Sequence, residues 1–253
     1  MRKLLIGAVA AAVLGFAAPS ANAAGGAEIQ EQDWSFNGMM GKFDPAARQR
    51  GFQVFKEVCS ACHSLDYISF RNLADIGYNA DEVRAIAAEY EVTDGPDDSG
   101  EMFERPAKPS DRWPAPFPNP QAAAAANGGA APPDLTLMAK ARKHGPDYLY
   151  ALLTGYEDPP ADFDLLEGSN YNKYFPGNQI AMAPPLFEDA VEYADGTPAT
   201  TEQMASDVVQ FLAWTAEPEL EERKGMGWKV LIFLVVFSGV LYAAKRRVWA
   251  DLH

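Results

Sequence analysis

The feature that most constrains this chain is the stretch Cys59-Ser60-Ala61-Cys62-His63, which has the spacing C-x-x-C-H. Two thiols at this spacing can each add to one vinyl group of a single porphyrin, and the adjacent histidine then lies under the iron as its proximal ligand. The pattern therefore predicts one covalently attached c-type haem, held by Cys59 and Cys62 with His63 on the iron. The rest of the chain has to bury and position that group.

Three other uses of a C-x-x-C pair are a disulfide, a thioredoxin-like redox pair and half of a zinc site. A four-cysteine zinc site needs a second pair, and this chain has only 2 cysteines. A thioredoxin-like motif lies in a βαβ setting, which the sequence pattern does not indicate. Because the haem uses both cysteines, we expect no disulfide in the fold.

The charge of the chain constrains its partners. The formal net charge is −14, and it becomes −16 when residues 1–23, which carry Arg2 and Lys3 and no acid, are left out. A nucleic acid needs a basic face, so the charge argues against nucleic acid as a partner. It favours a basic protein partner that is attracted over long range.

Residues 1–23 have the pattern of a secretory signal peptide. Arg2 and Lys3 precede a short apolar run, and Ala21-Asn22-Ala23 forms an A-x-A cleavage site. The mature chain is then expected to begin at Ala24, in an exported compartment that suits haem attachment. An uncleaved N-terminal anchor is the alternative, and a better anchor exists at the other end of the chain.

That second apolar run extends from Met226 to Ala244 with Lys229 as its one charge, about 19 residues that nearly match a ~30 Å hydrocarbon layer. Lys245-Arg246-Arg247 follow at once, and the positive-inside rule places this end in the cytoplasm. A buried core helix, the alternative, would not end in three bases beside interfacial aromatic residues. We therefore expect a periplasmic haem domain over residues 24–224, a transmembrane helix over 225–245 and a cytoplasmic tail over 246–253.

Helix signals are clear at two places in the exported domain. Asp44-Pro45 predicts a helix start before the haem motif, and Phe52 and Phe55 lie at helical spacing and are interpreted as core. A second helix is predicted to begin with a capping box formed by Thr200 and Gln203. Its expected apolar stripe consists of Met204, Val208, Phe211 and Leu212, and Glu217-Pro218 ends it.

The segments between these two helices are predicted to alternate between helix and irregular structure. Residues 81–104 are strongly acidic, with a helical first part and a loop over 93–100, and are either a solvated surface or a docking patch. Residues 105–133 are proline-rich and are predicted to lack regular structure, with Trp113 and Phe117 buried. Residues 134–155 predict helix again, and 156–199 are predicted to be irregular.

The sixth ligand of the iron decides whether a haem carries electrons or binds a substrate, and Met182 is the best candidate. It stands in a loop stiffened by Pro184-Pro185, just before the last helix of the exported domain. A thioether ligand closes the iron and raises its potential. Met182 as core filler is the alternative. His144 is interpreted as a surface residue and His253 lies beyond the predicted membrane span.

Taken together, the sequence resembles the cytochrome c1 family, the haem subunits of quinol:cytochrome c oxidoreductase (the cytochrome bc1 complex). The resemblance covers nearly the whole mature chain. The matching stretches are Arg50-Gly51-Phe52-Gln53-Val54, Cys59-Ser60-Ala61-Cys62-His63-Ser64, Asp66-Tyr67, Asp94-Gly95-Pro96, Gly100-Glu101-Met102-Phe103, Pro132-Pro133-Asp134-Leu135, Ala141-Arg142, Asp147-Tyr148, Leu153-Thr154-Gly155-Tyr156, Met182-Ala183-Pro184-Pro185, Asp195-Gly196-Thr197-Pro198-Ala199-Thr200 and Ala216-Glu217-Pro218.

The resemblance implies a set of roles. Cys59 and Cys62 would hold the haem by thioethers, His63 and Met182 would be the axial ligands, and Arg142 would pair with a haem propionate. From the residues alone, Arg142 could equally be a cation at a helix end. The haem would accept an electron from the Rieske iron–sulfur protein and pass it to a cytochrome c, with cytochrome b alongside in a bacterial inner membrane and a dimeric complex. The additional cysteine pair of some bacterial members is absent, so packing and prolines would have to stabilise the Met182 loop.

The expected fold is a mainly α c-type cytochrome domain with long irregular loops and one C-terminal transmembrane helix. Two other functions remain open on the residues: an anchored haem enzyme or gas sensor with an open iron site, and a membrane-tethered shuttle cytochrome. Such tethers usually stand at the N-terminus, and such domains lack a proline-rich excursion.

Overall fold

The computed structural model describes residues 27–252, so the predicted signal sequence over residues 1–23 lies outside the described residues. The described chain is mainly helical, as expected. Its α-helices are α1 Pro45–Glu57, α2 Ala80–Ala88, α3 Pro120–Ala126, α4 Met138–Ala141, α5 Gly145–Thr154, α6 Thr201–Ala216 and α7 Leu220–Val248. Short 3₁₀ turns span Cys59–Ala61, Phe70–Ile76 and Ala250–Leu252. The strands are β1 Glu91–Asp94, β2 Phe103–Pro106, β3 Asn170–Tyr171 and β4 Gln179–Ile180.

Helix α1 begins where its sequence predicts. The Asp44 carboxylate accepts hydrogen bonds from the backbone N–H groups of Ala46 (2.8 Å) and Ala47 (3.2 Å), and Pro45 stands in the first turn. Phe52 and Phe55 are buried, which confirms them as core. The helix ends directly before the haem motif, so its core packing fixes the position of that motif.

Helices α1 and α6 cross in backbone contact at Gly51. A Cβ atom at this position would lie 2.0 Å from the carbonyl oxygen of Asp207 and 2.8 Å from the Cβ of Phe211. Beside the crossing, Arg50 binds the fully buried Asp207 through two bonds, Nε to Oδ2 at 2.8 Å and Nη2 to Oδ1 at 2.9 Å. The pairing satisfies a carboxylate that would be costly to bury alone.

Helix α6 is buried on every side from Asp207 to Ala216, although the sequence predicts a single apolar stripe. The stripe residues Met204, Val208, Phe211 and Leu212 are buried as expected, but Asp207, Gln210 and Thr215 are buried too. The reason is that α1 covers one face of α6 while α4 and α5 cover another. The predicted capping box forms only in part: Thr200 accepts from Gln203 N at 3.1 Å, but the Gln203 amide donates to Asp207.

The proline-rich stretch 105–133 was expected to lack regular structure, and that prediction is wrong at its alanine run. Helix α3 forms there because Asn119 accepts from Ala122 N at 2.8 Å, Pro120 suits the first turn, and alanine has a high helix propensity. Trp113 is buried as predicted and contacts Tyr90 at a ring-centroid distance of 4.8 Å, whereas Phe117 is only half-buried.

The segments on either side also depart from expectation. The predicted loop over 93–100 overlaps an antiparallel hairpin in which Glu91 pairs with Pro106 and Asp94 with Phe103. Residues 156–199, predicted to be irregular, contain a small ladder in which Asn170 pairs with Ile180. In 134–155, the helical pattern that begins at Leu135 yields only the four-residue α4 before α5.

Helix α7 contains the whole of the predicted span 225–245 and starts at Leu220, after a short break at Glu217-Pro218. Within residues 27–252 it is the one helix long and apolar enough to cross a membrane. None of its apolar window is buried against the rest of the chain. This helix therefore fits a single membrane anchor.

Candidate haem site

The haem motif lies in a tight turn at the end of α1. The backbone N–H groups of Cys62 and His63 both donate to the carbonyl oxygen of Cys59, at 3.1 and 2.9 Å. The Ser60 hydroxyl donates to Lys56 O at 2.7 Å and secures the turn to the helix. This turn carries both cysteines and the histidine within five consecutive residues.

Both cysteines are free and partly accessible. Burial raises the pKa of the Cys59 thiol to about 12, and the neighbouring Cys62 adds to the effect. Two accessible thiols that are not joined to each other do suit thioether attachment.

The orientation of His63 is the most informative contact of the site. Its Nδ1 atom lies 2.7 Å from the carbonyl oxygen of Pro133, and a carbonyl can only accept, so Nδ1 carries the proton. Burial lowers the pKa of His63, while the Pro133 carbonyl and the Asp134 charge act in the opposite direction. A neutral imidazole with its proton on Nδ1 has a free lone pair on Nε2, which is the arrangement of a metal-ligating histidine.

Asp134 holds the Pro133 carbonyl in place. Its Oδ2 atom accepts from Ser64 Oγ at 3.0 Å and from Asp66 N at 2.7 Å, both just after the haem motif. Both carboxylate oxygens also accept bonds from Thr136, Oδ1 from the backbone N–H and Oδ2 from the hydroxyl. The carboxylate therefore joins residues 63–67 to residues 133–136, and with them the imidazole to its hydrogen-bond acceptor.

Residues 133–136 are also hydrogen-bonded to helix α6. The hydroxyl of Thr215, near the end of α6, donates to Thr136 O at 3.1 Å, and Leu135 N donates to Ser64 O at 3.0 Å. The His63 acceptor is thus connected to the central helix, and the bond at Thr215 is buried. Such a supported second layer is what keeps a metal ligand in one orientation.

Met182 lies two residues after the end of β4 and is half-buried. The Tyr156 hydroxyl donates to the Met182 carbonyl at 3.1 Å, and burial raises the pKa of that hydroxyl well above its ordinary value. The loop is therefore held by a hydrogen bond as well as by Pro184-Pro185.

Arg142 is exposed, and its Nη1 atom donates to the neighbouring Ala141 carbonyl at 3.2 Å. The roles of Met182 as an iron ligand and of Arg142 as a propionate partner stay predictions.

Sequence reasoning missed Pro133, Asp134 and Tyr156 as supporting residues. The spacing Asp134-x-Thr136 is a local signal, since an aspartate often accepts from the backbone N–H two residues on. Nothing local connects that turn to a histidine 70 residues earlier.

His144 is exposed at the start of α5, as its interpretation as a surface residue requires. The residues present at the motif fit a covalently attached haem.

Comparison with known proteins agrees with this chemistry. The profile described as Cytochrome C1 family matches residues 34–252. Cytochrome c1 of Rhodospirillum rubrum is 49% identical over 244 residues, which cover 90% of each chain. A protein of Arabidopsis thaliana named cytochrome c1 1, heme protein, mitochondrial, is 50% identical over 252 residues, 98% of this chain and 81% of that protein. The longer cytochrome b/c1 of Bradyrhizobium diazoefficiens is 51% identical over 242 residues, 87% of this chain and 35% of that protein.

Proposed function

The chain belongs to the cytochrome c1 family, and from this membership we propose that it is the haem-bearing electron-transfer subunit of a quinol:cytochrome c oxidoreductase. Its cofactor is one c-type haem, attached covalently through Cys59 and Cys62. The observation that carries the proposal is the His63 imidazole, whose proton is held on Nδ1 by the Pro133 carbonyl so that Nε2 is free, next in sequence to two thiols that are not joined to each other.

The chain's own residues orient, bury and tune the haem, and they break no substrate bond. A haem bound here supplies a one-electron couple at its iron. His63 would hold the iron through a nitrogen whose basicity is increased by the Nδ1–H bond to Pro133. Met182 would hold it through a soft thioether sulfur, which would favour the reduced state and raise the potential. Arg142 would pair with a propionate of the haem.

The partners follow from the position of the chain in its family. The electron arrives from the Rieske iron–sulfur protein and leaves to a cytochrome c, while cytochrome b lies beside the anchor in the membrane. The name cytochrome b/c1 of one relative, which joins both names in one protein, supports cytochrome b as a neighbour. The net charge of −14 supports a basic cytochrome c as acceptor. The complex is proposed to be dimeric, like those of the family.

The orientation follows from charge and length. Helix α7 spans a bacterial inner membrane, and its last turn carries Lys245, Arg246 and Arg247. The positive-inside rule supports a cytoplasmic position for these bases and, with it, a periplasmic haem domain over residues 24–224. The signal sequence predicted for residues 1–23 exports the haem domain in the same direction.

The test is isolation of the full chain from native membranes in a mild detergent. We expect cytochrome b and the Rieske protein to copurify, a low-spin c-type spectrum in the reduced-minus-oxidised difference, and a reduced form that does not bind carbon monoxide. A high-spin spectrum with full carbon monoxide binding would support an open-iron enzyme or sensor instead. Isolation of the chain with neither partner would support a tethered shuttle cytochrome.

A further inference from the structure

The segment Trp34–Phe43 lies across the first turns of the anchor helix α7. The backbone N–H of Phe43 donates to Glu221 Oε1 at 3.1 Å. Farther along α7, the ammonium group of Lys224 donates to Phe36 O at 2.6 Å and to Gly41 O at 3.2 Å. A single cation thus closes the neck of the loop formed by residues 37–40.

The loop has a buried base and an apolar tip. The aromatic residues Trp34, Phe36 and Phe43 are buried and pack in sequence, with ring centroids 5.6 and 4.9 Å apart. At the tip, Met39 is 62% exposed and Met40 is 73% exposed. Two adjacent exposed methionines on this hydrogen-bonded loop form a small apolar projection, and the exposure of its surface to water is unfavourable.

The direction of the loop can be followed along α7. The chain passes from Phe43, bonded to Glu221, to Gly41, bonded to Lys224, and so moves towards the apolar span that begins at Met226. Lys224 precedes Met226 by two residues, which is about 3 Å of helix rise. The tip continues beyond Gly41, and this direction points to the first residues of the span as its nearest part of α7.

We propose that Met39 and Met40 insert into the periplasmic lipid interface beside α7, as a second membrane contact of the haem domain. The proposal rests on the membrane anchoring proposed above for α7. Lipid is favoured as the occupant because the projection is continuous with the start of the span and is followed by the exposed cation Lys42. Such an apolar tip with a flanking base suits the boundary between acyl chains and anionic headgroups.

The experiment is spin labelling of single cysteine variants of the full mature chain with its haem, in vesicles of phosphatidylcholine and phosphatidylglycerol. The native cysteines are held in thioethers and do not take the label. Met39→Cys and Met40→Cys report on the tip. Met102→Cys is the matched control, because Met102 is 60% exposed and lies just before β2. Leu234→Cys reports on the middle of the anchor.

The measurement is collision with oxygen, which concentrates in lipid, relative to collision with a water-soluble nickel chelate. We expect a several-fold higher ratio at positions 39 and 40 than at 102, approaching the ratio at 234. A water-like ratio at 39 and 40, with a lipid-like ratio at 234, overturns the tip contact and leaves the anchor intact. A water-like ratio at 234 overturns the anchor itself, and the tip contact with it.

The same labels in the purified complex separate lipid from a protein partner. We expect oxygen to reach positions 39 and 40 in the complex as it does in vesicles. If both reagents are excluded in the complex and the ratio is water-like in vesicles of the chain alone, a neighbouring subunit covers the tip and the lipid assignment is wrong.

Discussion

The Nδ1 atom of His63 lies 2.7 Å from the carbonyl oxygen of Pro133, 70 residues further along the chain. This bond fixes the tautomer of the imidazole and the plane of its ring. The acceptor is a backbone atom, so its position depends on the segment that carries it. That segment is held to the haem motif by the neighbouring carboxylate of Asp134.

Replacement Asp134→Asn is expected to destabilise the haem domain by about 1.5–3 kcal/mol, the usual range for hydrogen bonds to a charged group. The amide can keep one acceptor oxygen, but its NH₂ group faces N–H and O–H donors that now lack a partner. Denaturant unfolding of the haem-loaded protein in detergent measures the change. Asp98→Asn, in the exposed loop between β1 and β2, is the control and should stay within about 0.5 kcal/mol. Equal effects of the two substitutions would contradict the supporting role of Asp134.

Replacement Met182→Leu is expected to lower the midpoint potential of the haem sharply, because it removes the thioether that we propose as the iron ligand favouring the reduced state. Axial ligands set haem potentials over a range of about 0.8 V, so the change should be well resolved by redox titration. The reduced variant should also bind carbon monoxide. Met204→Leu is the matched control, because Met204 is fully buried in α6 and the swap conserves volume. A Met182→Leu variant with an unchanged potential would remove Met182 as a ligand.

Replacement Gly51→Ala is expected to cost about 1–3 kcal/mol or more, since the added methyl group would lie 2.0 Å from a backbone oxygen of α6 and neither helix can yield cheaply. The measurement is thermal unfolding followed by circular dichroism. Gly225→Ala, in α7, has open space around the new Cβ and should be neutral or slightly stabilising. If both variants unfold like the parent protein, α1 and α6 do not cross in contact at Gly51.

The ion pair of Arg105 and Asp111 gives a pH dependence. The guanidinium of Arg105, followed by the Lys108 backbone N–H, lowers the pKa of Asp111 to about 2. The ordinary aspartate pKa is about 3.9, so the stabilisation is complete above pH ~4 and is lost as the pH falls towards ~2. We expect Asp111→Asn to flatten the decline of the melting temperature in this window. Asp158→Asn, at an exposed position, should keep the slope of the parent protein.

The acidic segment 81–104 can be tested as the docking surface for a basic cytochrome c. Several of its acids are already paired within the chain, among them Asp81 with Arg84 and Glu89 with Lys56. Conversion to amides therefore targets other exposed acids of the segment, namely Glu91, Asp98, Glu101 and Glu104. The association rate at ~10 mM salt should fall several-fold, and the difference should vanish by ~300 mM.

The control for that variant is a second exposed acidic segment, with the same conversion at Asp158, Asp162, Asp164 and Glu167. This variant carries the same change in net charge, so it separates a local docking effect from overall attraction. A larger loss of rate in the control variant would move the docking surface to residues 157–167. A rate of the parent protein that is flat across the salt range would argue against steering altogether.

Features that depend on neighbours in sequence were predictable. Asp44 and Pro45 start α1 because a cap and a fixed φ act within one turn. The span that begins at Met226 is recognisable because a membrane selects for length and composition alone. The haem motif is also a local feature, because attachment of one porphyrin through two vinyl groups requires two cysteines at the spacing of Cys59 and Cys62.

Features that depend on distant contacts were not predictable from local pattern. Asp207 is a charged residue beside the apolar stripe of α6, and its complete burial is explained only by Arg50, which lies opposite on α1. Asp134 acts on a histidine that no periodicity connects to it. Helix α3 was not predicted, because the many prolines of residues 105–133 indicate irregular structure, whereas the helix depends on the local signals of Asn119 and the alanine run.

The bonds at the start of α7 also set where a water-soluble fragment of this protein should end. Glu221 and Lys224 are part of the anchor helix, yet their side chains bind the backbone of the haem domain at Phe43, Phe36 and Gly41. A fragment truncated at the end of α6 would lack Glu221 and Lys224, and the segment Trp34–Phe43 would lose the hydrogen bonds that they make to it. Ending the fragment after Lys224 keeps them and removes the apolar span.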